Sequence, residues 1–157
     1  MIRKARIADV KAIHALIGEY ARKGDMLPRS LSSIYENLRD YFVCENENGE
    51  LIGSAAIHIM WEDLAEVRSL AVREAEKGKG IGTKLVEACM SEAIVLGIAR
   101  VFALTYRPDF FKRLGFREID KSELPHKIWT DCLKCPKFPD CDEVALVADF
   151  SGSARVG

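Results

Sequence analysis

Residues 66–97 read EVRSLAVREAEKGKGIGTKLVEACMSEAIVLG, an extended run, a charged bend, a glycine-rich turn and then a helix, and this order constrains the fold more than any other stretch. In LAEVRSLAV, Ala65, Val67, Ser69 and Ala71 alternate with Glu66, Arg68, Leu70 and Val72, which predicts a strand with one packed and one mixed face. Glu66 and Arg68 then project from the same side. The turn Lys77-Gly78-Lys79-Gly80-Ile81-Gly82 brings three glycines to a helix start. There, N–H groups without intrahelical partners and the positive dipole end can hold an anion with no side chain in the way. Ile81, Leu85, Ala88, Cys89, Ala93 and Leu96 recur at helical spacing and Gly97 stands at a C-terminal cap. The helix is predicted to pack on the sheet and aim its N-terminus at a phosphate-bearing ligand.

Common nucleotide templates do not fit. Gly82-Thr83 lacks the lysine of a P-loop, and glycines spaced two apart break the dinucleotide pattern. The chain has 157 residues, enough for one domain with a sizeable core, and a formal net charge of −1. Bulk electrostatics therefore give no reason for binding nucleic acid or an anionic membrane. Apolar runs fall far short of a bilayer span and the start has no signal-peptide core, so a cytoplasmic protein is expected. Five cysteines, with Cys44 and Cys89 in apolar patterns, fit reduced thiols.

In chain order, residues 2–7 are predicted to form a strand, and Ala8-Asp9 to open a helix with Val10, Ile13, Leu16, Ile17 and Tyr20 on one face. A loop carrying Leu27 and Arg29 follows, and Ser30 or Ser32 caps a second helix bearing Leu31, Ile34, Tyr35 and Leu38. Tyr41–Glu45 and Leu51–Trp61 make a hairpin around an Asn-Gly turn; His58, in its second strand, receives no functional role. Arg100–Thr105 is a short buried parallel strand, so the central helix is a right-handed crossover. Residues 108–115 form a short helix, and 116–119 and 143–150 two more strands. Residues 121–142 follow no regular period and hold three cysteines.

The glycine turn resembles the acetyl-coenzyme A signature of the GNAT acetyltransferase superfamily, Arg/Gln-x-x-Gly-x-Gly/Ala, with Lys77 in the lead position. Leu70-Ala71-Val72 and Phe110-Phe111-Lys112-Arg113-Leu114-Gly115-Phe116 are similar to that family's other landmarks. The resemblance implies an α/β GNAT fold: a mixed, mostly antiparallel sheet of about six to seven strands flanked by helices, its parallel central pair splayed at the coenzyme site. It assigns residues 1–150 to one acetyltransferase domain and 151–157 to a flexible tail. Acetyl-CoA would be held by Leu70, Ala71, Val72, Lys77, Gly78, Lys79, Gly80, Ile81, Gly82 and Thr83, with Phe111 and Arg113 from the later landmark.

In that family Glu66 corresponds to a catalytic base, the alternative being an ion pair with Arg68. The Leu70 backbone N–H would polarise the thioester carbonyl. The tyrosine that often protonates the leaving thiolate is replaced by Phe111, and Tyr106 is a weak substitute. A covalent cysteine route has no readable Cys-His-Asp spacing.

A narrower resemblance, to short bacterial N-acetylglutamate synthases, rests on Met26-Leu27-Pro28-Arg29-Ser30-Leu31, residues 65–72, residues 110–116 and Leu124-Pro125-His126-Lys127-Ile128-Trp129. It implies L-glutamate as acceptor and an opening role in arginine synthesis. Leu27, Arg29, Ser30, Arg68 and Lys127 are the candidate acceptor residues, a dianionic amino acid needing cations around it. Another small amine, a protein amino group and a coenzyme-binding module without turnover stay open; a homodimer is compatible with the sequence. Cys132-x-x-Cys135 has a zinc spacing that Cys141 and His126 could complete, but reduced packed thiols are the preferred reading.

Overall fold

The chain begins as a strand for only three residues, β1 (Ile2–Lys4), not six, because Ile7–Asp9 coils into a 3₁₀ turn. Arg3 holds that turn by donating to both Asp9 carboxylate oxygens at 2.8 and 3.0 Å, while the same guanidinium reaches Glu45 at 3.2 Å. This computed structural model describes residues 1–125, 128 and 143–150. His126, Lys127, Cys132, Cys135, Cys141 and the expected tail 151–157 lie outside the described residues.

Helix α1 (Val10–Arg22) buries Val10, Ile13, Leu16 and Ile17, the stripe its period requires. Helix α2 (Leu31–Glu36) is capped by Ser30, whose Oγ accepts from the Ser33 N–H at 3.0 Å; Ile34 is buried, whereas Leu31 and Tyr35 are exposed. β2 (Tyr41–Glu45) and β3 (Leu51–Trp61) form the expected hairpin. Its turn is closed by the Asn46 side-chain oxygen, which accepts from Asn48 and Glu50 at 2.9 Å each, and by Gly49 at φ 79°. The chain continues through β4 (Leu64–Val72), α3 (Ile81–Val95), β5 (Arg100–Thr105), α4 (Pro108–Arg113), β6 (Arg117–Ile119) and β7 (Val144–Asp149).

Among the described residues seven strands make one sheet in the order β1-β2-β3-β4-β5-β7-β6, antiparallel except for the β4–β5 pair. This is the mixed sheet expected of the fold. α3 and α4 cover one face, where Leu85, Val86, Cys89, Phe111 and Phe116 pack on Ala55, Ala65, Val67 and Val101. The other face carries α1 and α2 over Tyr41, Val43 and Ala56, and Leu124 and Ile128 over Phe102, Ala145 and Val147. Each fully buried aliphatic side chain contributes about 1.5–3 kcal/mol, so these layers rather than helix propensity hold α1 and α3 in place.

Two expectations fail in detail. Val86, not Leu96, completes the buried stripe of α3; Leu96 is the half-exposed C-cap before Gly97, which adopts φ 83°. The alternation along β4 breaks as well. Its register with β3 runs His58↔Glu66, Ile57↔Val67 and Ala56↔Arg68, then jumps to Ser54↔Ala71, so Ser69 and Leu70 share one partner residue. Ser69 takes φ 57°, the bulge's left-handed residue. One inserted residue reverses the side-chain parity. Leu70 and Val72 therefore join Ala65 and Val67 on the α3 face, while Glu66 and Arg68 stay with Ala56 on the α1 and α2 face.

Candidate active site

β4 and β5 are in register only through Leu64↔Arg100, Ala65↔Val101 and Glu66↔Phe102. From there β5 stays with β7 to Thr105, and β4 turns away through its bulge, so the two strands open a gap at their carboxyl ends. That gap leads into a cavity of about 940 Å³. Its walls are the second half of β4, the end of β5, the start of α3, the end of α1 with its following loop, and α4. Ligands of α/β sheets settle at such places, where neighbouring strands part.

The start of α3 forms one end of the cavity. Gly78 and Gly80 have φ 84° and 80°, and a Cβ on either would meet no atom within 4 Å, so the turn is shaped by backbone conformation and is open above. Gly80 is the N-cap, with no side-chain cap bond, and the Lys84 N–H is the first to return to it, at 3.1 Å. The N–H groups of Ile81, Gly82 and Thr83 precede that first helical bond and are left to an outside acceptor. Gly82 lies beneath the Phe110 ring, where a Cβ would touch at 3.5 Å. Lys77 is held charged by Glu74, 3.0 Å away, with its ammonium 5.0 Å from the centre of the Tyr20 ring. These features fit the diphosphate of a coenzyme.

Further in, the cavity meets β4. The main-chain groups of Val72, one of the residues that the resemblance assigns to the coenzyme, are both engaged. The Tyr20 hydroxyl donates to the Val72 carbonyl at 2.7 Å and accepts from its N–H at 3.2 Å. Tyr20 comes from the last turn of α1, and sequence periodicity had assigned it only to the packed face.

At the opposite end Glu66 and Arg68 enter from the bulged strand, their side chains 12% and 11% exposed and 3.7 Å apart at Oε1 and Nη1. Such a buried carboxylate keeps a cation beside it and can exchange a proton with a neighbouring amine. Tyr41, behind Arg68, is hydrogen-bonded to Ser69, and burial pushes its phenol up. Phe111 is packed edge-on to Phe110 and Phe116 at 5.1 Å each, a core anchor that also lines the cavity. Tyr106 lines the wall beside it. The Cys89 thiol lies on the buried side of α3, pushed up to about 12 by burial, which makes it a poor nucleophile.

The cavity thus collects Leu27, Glu66, Arg68, Leu70, Val72, Lys77, Gly78, Gly80, Ile81, Gly82, Thr83, Tyr106, Phe111 and Arg113. Among the described candidates, four do not line it. Ala71 is turned into the interior at 1% exposure, Lys79 pairs with Glu76 at 3.3 Å, the Ser30 hydroxyl caps α2, and Arg29 is half-buried beside Tyr41. Phe110 and Met26, which stand in the resembling segments without an assigned site role, also line the cavity, and the Val72 contact of Tyr20 has no sequence signal, because it arises through tertiary packing.

Comparison with known proteins agrees with this geometry. The sequence pattern of the Acetyltransferase (GNAT) family matches residues 10–116. An uncharacterized N-acetyltransferase of Chlorobaculum tepidum is 47% identical over 93% of this chain and 94% of its own. The amino-acid acetyltransferase of Mycobacterium tuberculosis is 36% identical over 83% of this chain and 76% of its own. Among solved structures, N-acetylglutamate synthase from Neisseria gonorrhoeae, complexed with coenzyme A and N-acetyl-glutamate, superposes with a TM-score of 0.86 at 28% identity. That match covers 95% of this chain and 34% of the larger protein.

Proposed function

Because the chain belongs to the GNAT acetyltransferase family and is an acetyl-CoA-dependent N-acetyltransferase, we propose that its acceptor is the α-amino group of L-glutamate. The observation that carries this reading is the Glu66–Arg68 pair, drawn by one bulged strand into the same cavity as the glycine cradle. A base and a cation for an acidic acceptor thereby lie together on the α1 and α2 side of the gap. The names of the relatives, amino-acid acetyltransferase and N-acetylglutamate synthase, support the same acceptor.

In this reading the cradle holds the diphosphate, and the arm runs along β4 toward Leu70. Glu66 takes a proton from the acceptor ammonium, directly or through water. The freed amine attacks the thioester carbonyl, whose developing charge is met by the Leu70 N–H. The C–N bond forms, the C–S bond breaks, and the second amine proton goes to the departing thiolate by way of Tyr106 or water. Arg68 faces an acceptor carboxylate, with Lys127 as a further cation for the other. No residue forms a covalent acetyl intermediate.

The test is steady-state thiol release with glutamate, glutamine and aspartate at one fixed acetyl-CoA concentration. Glutamate is expected to have the highest kcat/KM. Turnover that ignores free glutamate, with acetylation of another amine, would overturn the assignment.

A further inference from the structure

The reaction leaves one net proton behind. An ammonium and a thioester become an amide and a thiol, and the proton first taken by Glu66 has to leave a side chain only 12% exposed before the next turnover. On β3, His58 is the direct register partner of Glu66. Side chains of antiparallel partners share a face and have Cβ atoms about 4.5–5.5 Å apart. Nδ1 of His58 lies 2.6 Å from Oδ2 of Asp40, and the two side chains are 28% and 23% exposed. His58 thus lies beside Glu66 on the sheet and against Asp40, and both His58 and Asp40 are more exposed than Glu66. We propose that His58, oriented by Asp40, is the residue through which Glu66 passes its proton to solvent.

The balance is simple. The Asp40 carboxylate accepts from Nδ1–H, which fixes the neutral tautomer whose Nε2 carries the lone pair. Protonated Glu66 gives its proton to that nitrogen, regenerating the carboxylate and forming an imidazolium that Asp40 stabilises. The imidazolium then loses a proton to water. Among the described residues, the charged and titratable groups facing His58 are Asp40 and Tyr41 from the β2 side and Glu66 and Arg68 from β4; α1 presents Val10, Ile13 and Ile17. Arg68 stands 3.7 Å from Glu66 and keeps a positive charge beside that carboxylate. His58 acts through Glu66 and is a positioning residue for the proton rather than a group that touches acceptor or coenzyme.

This inference rests on the reading of Glu66 as base, and the experiment separates the two. Steady-state turnover is measured for full-length His58→Asn and Asp40→Asn across a series of imidazole concentrations at constant pH and ionic strength. For His58→Asn kcat should fall about tenfold, with both KM values within roughly twofold, and should recover as imidazole rises. Asp40→Asn should fall less and recover in the same way; it carries the test if the histidine variant does not fold. Unchanged kcat in both variants overturns the relay, as does a fall that imidazole does not restore. Normal His58→Asn beside an inactive Glu66→Gln removes the relay and keeps the base, whereas an active Glu66→Gln removes both.

Discussion

A single phenol satisfies both main-chain groups of one strand residue: the Tyr20 hydroxyl bonds the Val72 carbonyl at 2.7 Å and the Val72 N–H at 3.2 Å. Those are the groups that an arm amide would use if it extended the sheet across the gap, and in that case coenzyme and phenol would compete for one partner. Removing the hydroxyl leaves the strand unsatisfied in the free enzyme, at a cost of about 1 kcal/mol. Tyr20→Phe should therefore bind acetyl-CoA roughly fivefold more tightly by calorimetry, with a lower melting temperature in the free state. Weaker binding would mean that the phenol assists the coenzyme instead of standing in for it.

The bulge makes a second prediction. Ser69 holds φ 57°, a conformation that a β-branched side chain tolerates poorly. Ser69→Val should lose about 1–3 kcal/mol in a denaturant titration. Ser69→Gly should lose less, because relief of the backbone offsets the missing bond to Tyr41. If valine were as well tolerated as glycine, the strand would not be bulged at this residue.

Gly53 connects the sheet to the cradle. A Cβ there would come within 3.0 Å of Leu85 Cδ1 and 3.1 Å of Ile81 Cγ2, both in the first two turns of α3. Gly53→Val should cost about 1–3 kcal/mol through overpacking. By lifting the helix start it should also raise KM for acetyl-CoA about tenfold while leaving the acceptor KM near wild type, a split read from two substrate titrations.

How much of this could be read from the sequence depends on how local each cause is. Strands β2, β3 and β5 were legible to the residue, since apolar runs and an Asn-Gly turn are local signals. The glycine-rich start of α3 was legible too, because a helix start is written in six consecutive residues. The face of Leu70 and Val72 was not: strict alternation carries parity past Ser69, and only pairing with β3 reveals the extra residue. Ser30 illustrates the same limit. Its hydroxyl was a candidate for both cap and ligand, and the local geometry uses it as the cap.

Stability should respond to acid through the Arg3 cluster. The Arg3 guanidinium holds the carboxyls of Asp9 and Glu45 below the usual carboxylate range. With the folded value depressed, the contribution is fully present above the ordinary carboxylate pKa of about 4 and is lost as pH falls through the lower folded value. Melting temperature should thus decline from about pH 5 downward, and Asp9→Asn should flatten that decline while lowering the value at pH 7. Parallel curves for the two proteins would show that this cluster does not govern acid sensitivity.

Glu66 is where fold and chemistry meet, so its replacement is the most discriminating change. Glu66→Gln keeps the volume and the place on β4 and removes only the basic oxygen, so the gap, the cradle and Arg68 should stay as they are. If Glu66 deprotonates the acceptor, kcat falls by about 10²–10⁴ while KM for acetyl-CoA is unchanged. Because the chemical step then waits for acceptor that is already uncharged, activity of the variant should keep rising with pH beyond the point where the wild type levels off. If Glu66 were only the ionic partner of Arg68, 3.7 Å away, the variant would instead lose stability and acceptor affinity together, with a pH profile of wild-type shape.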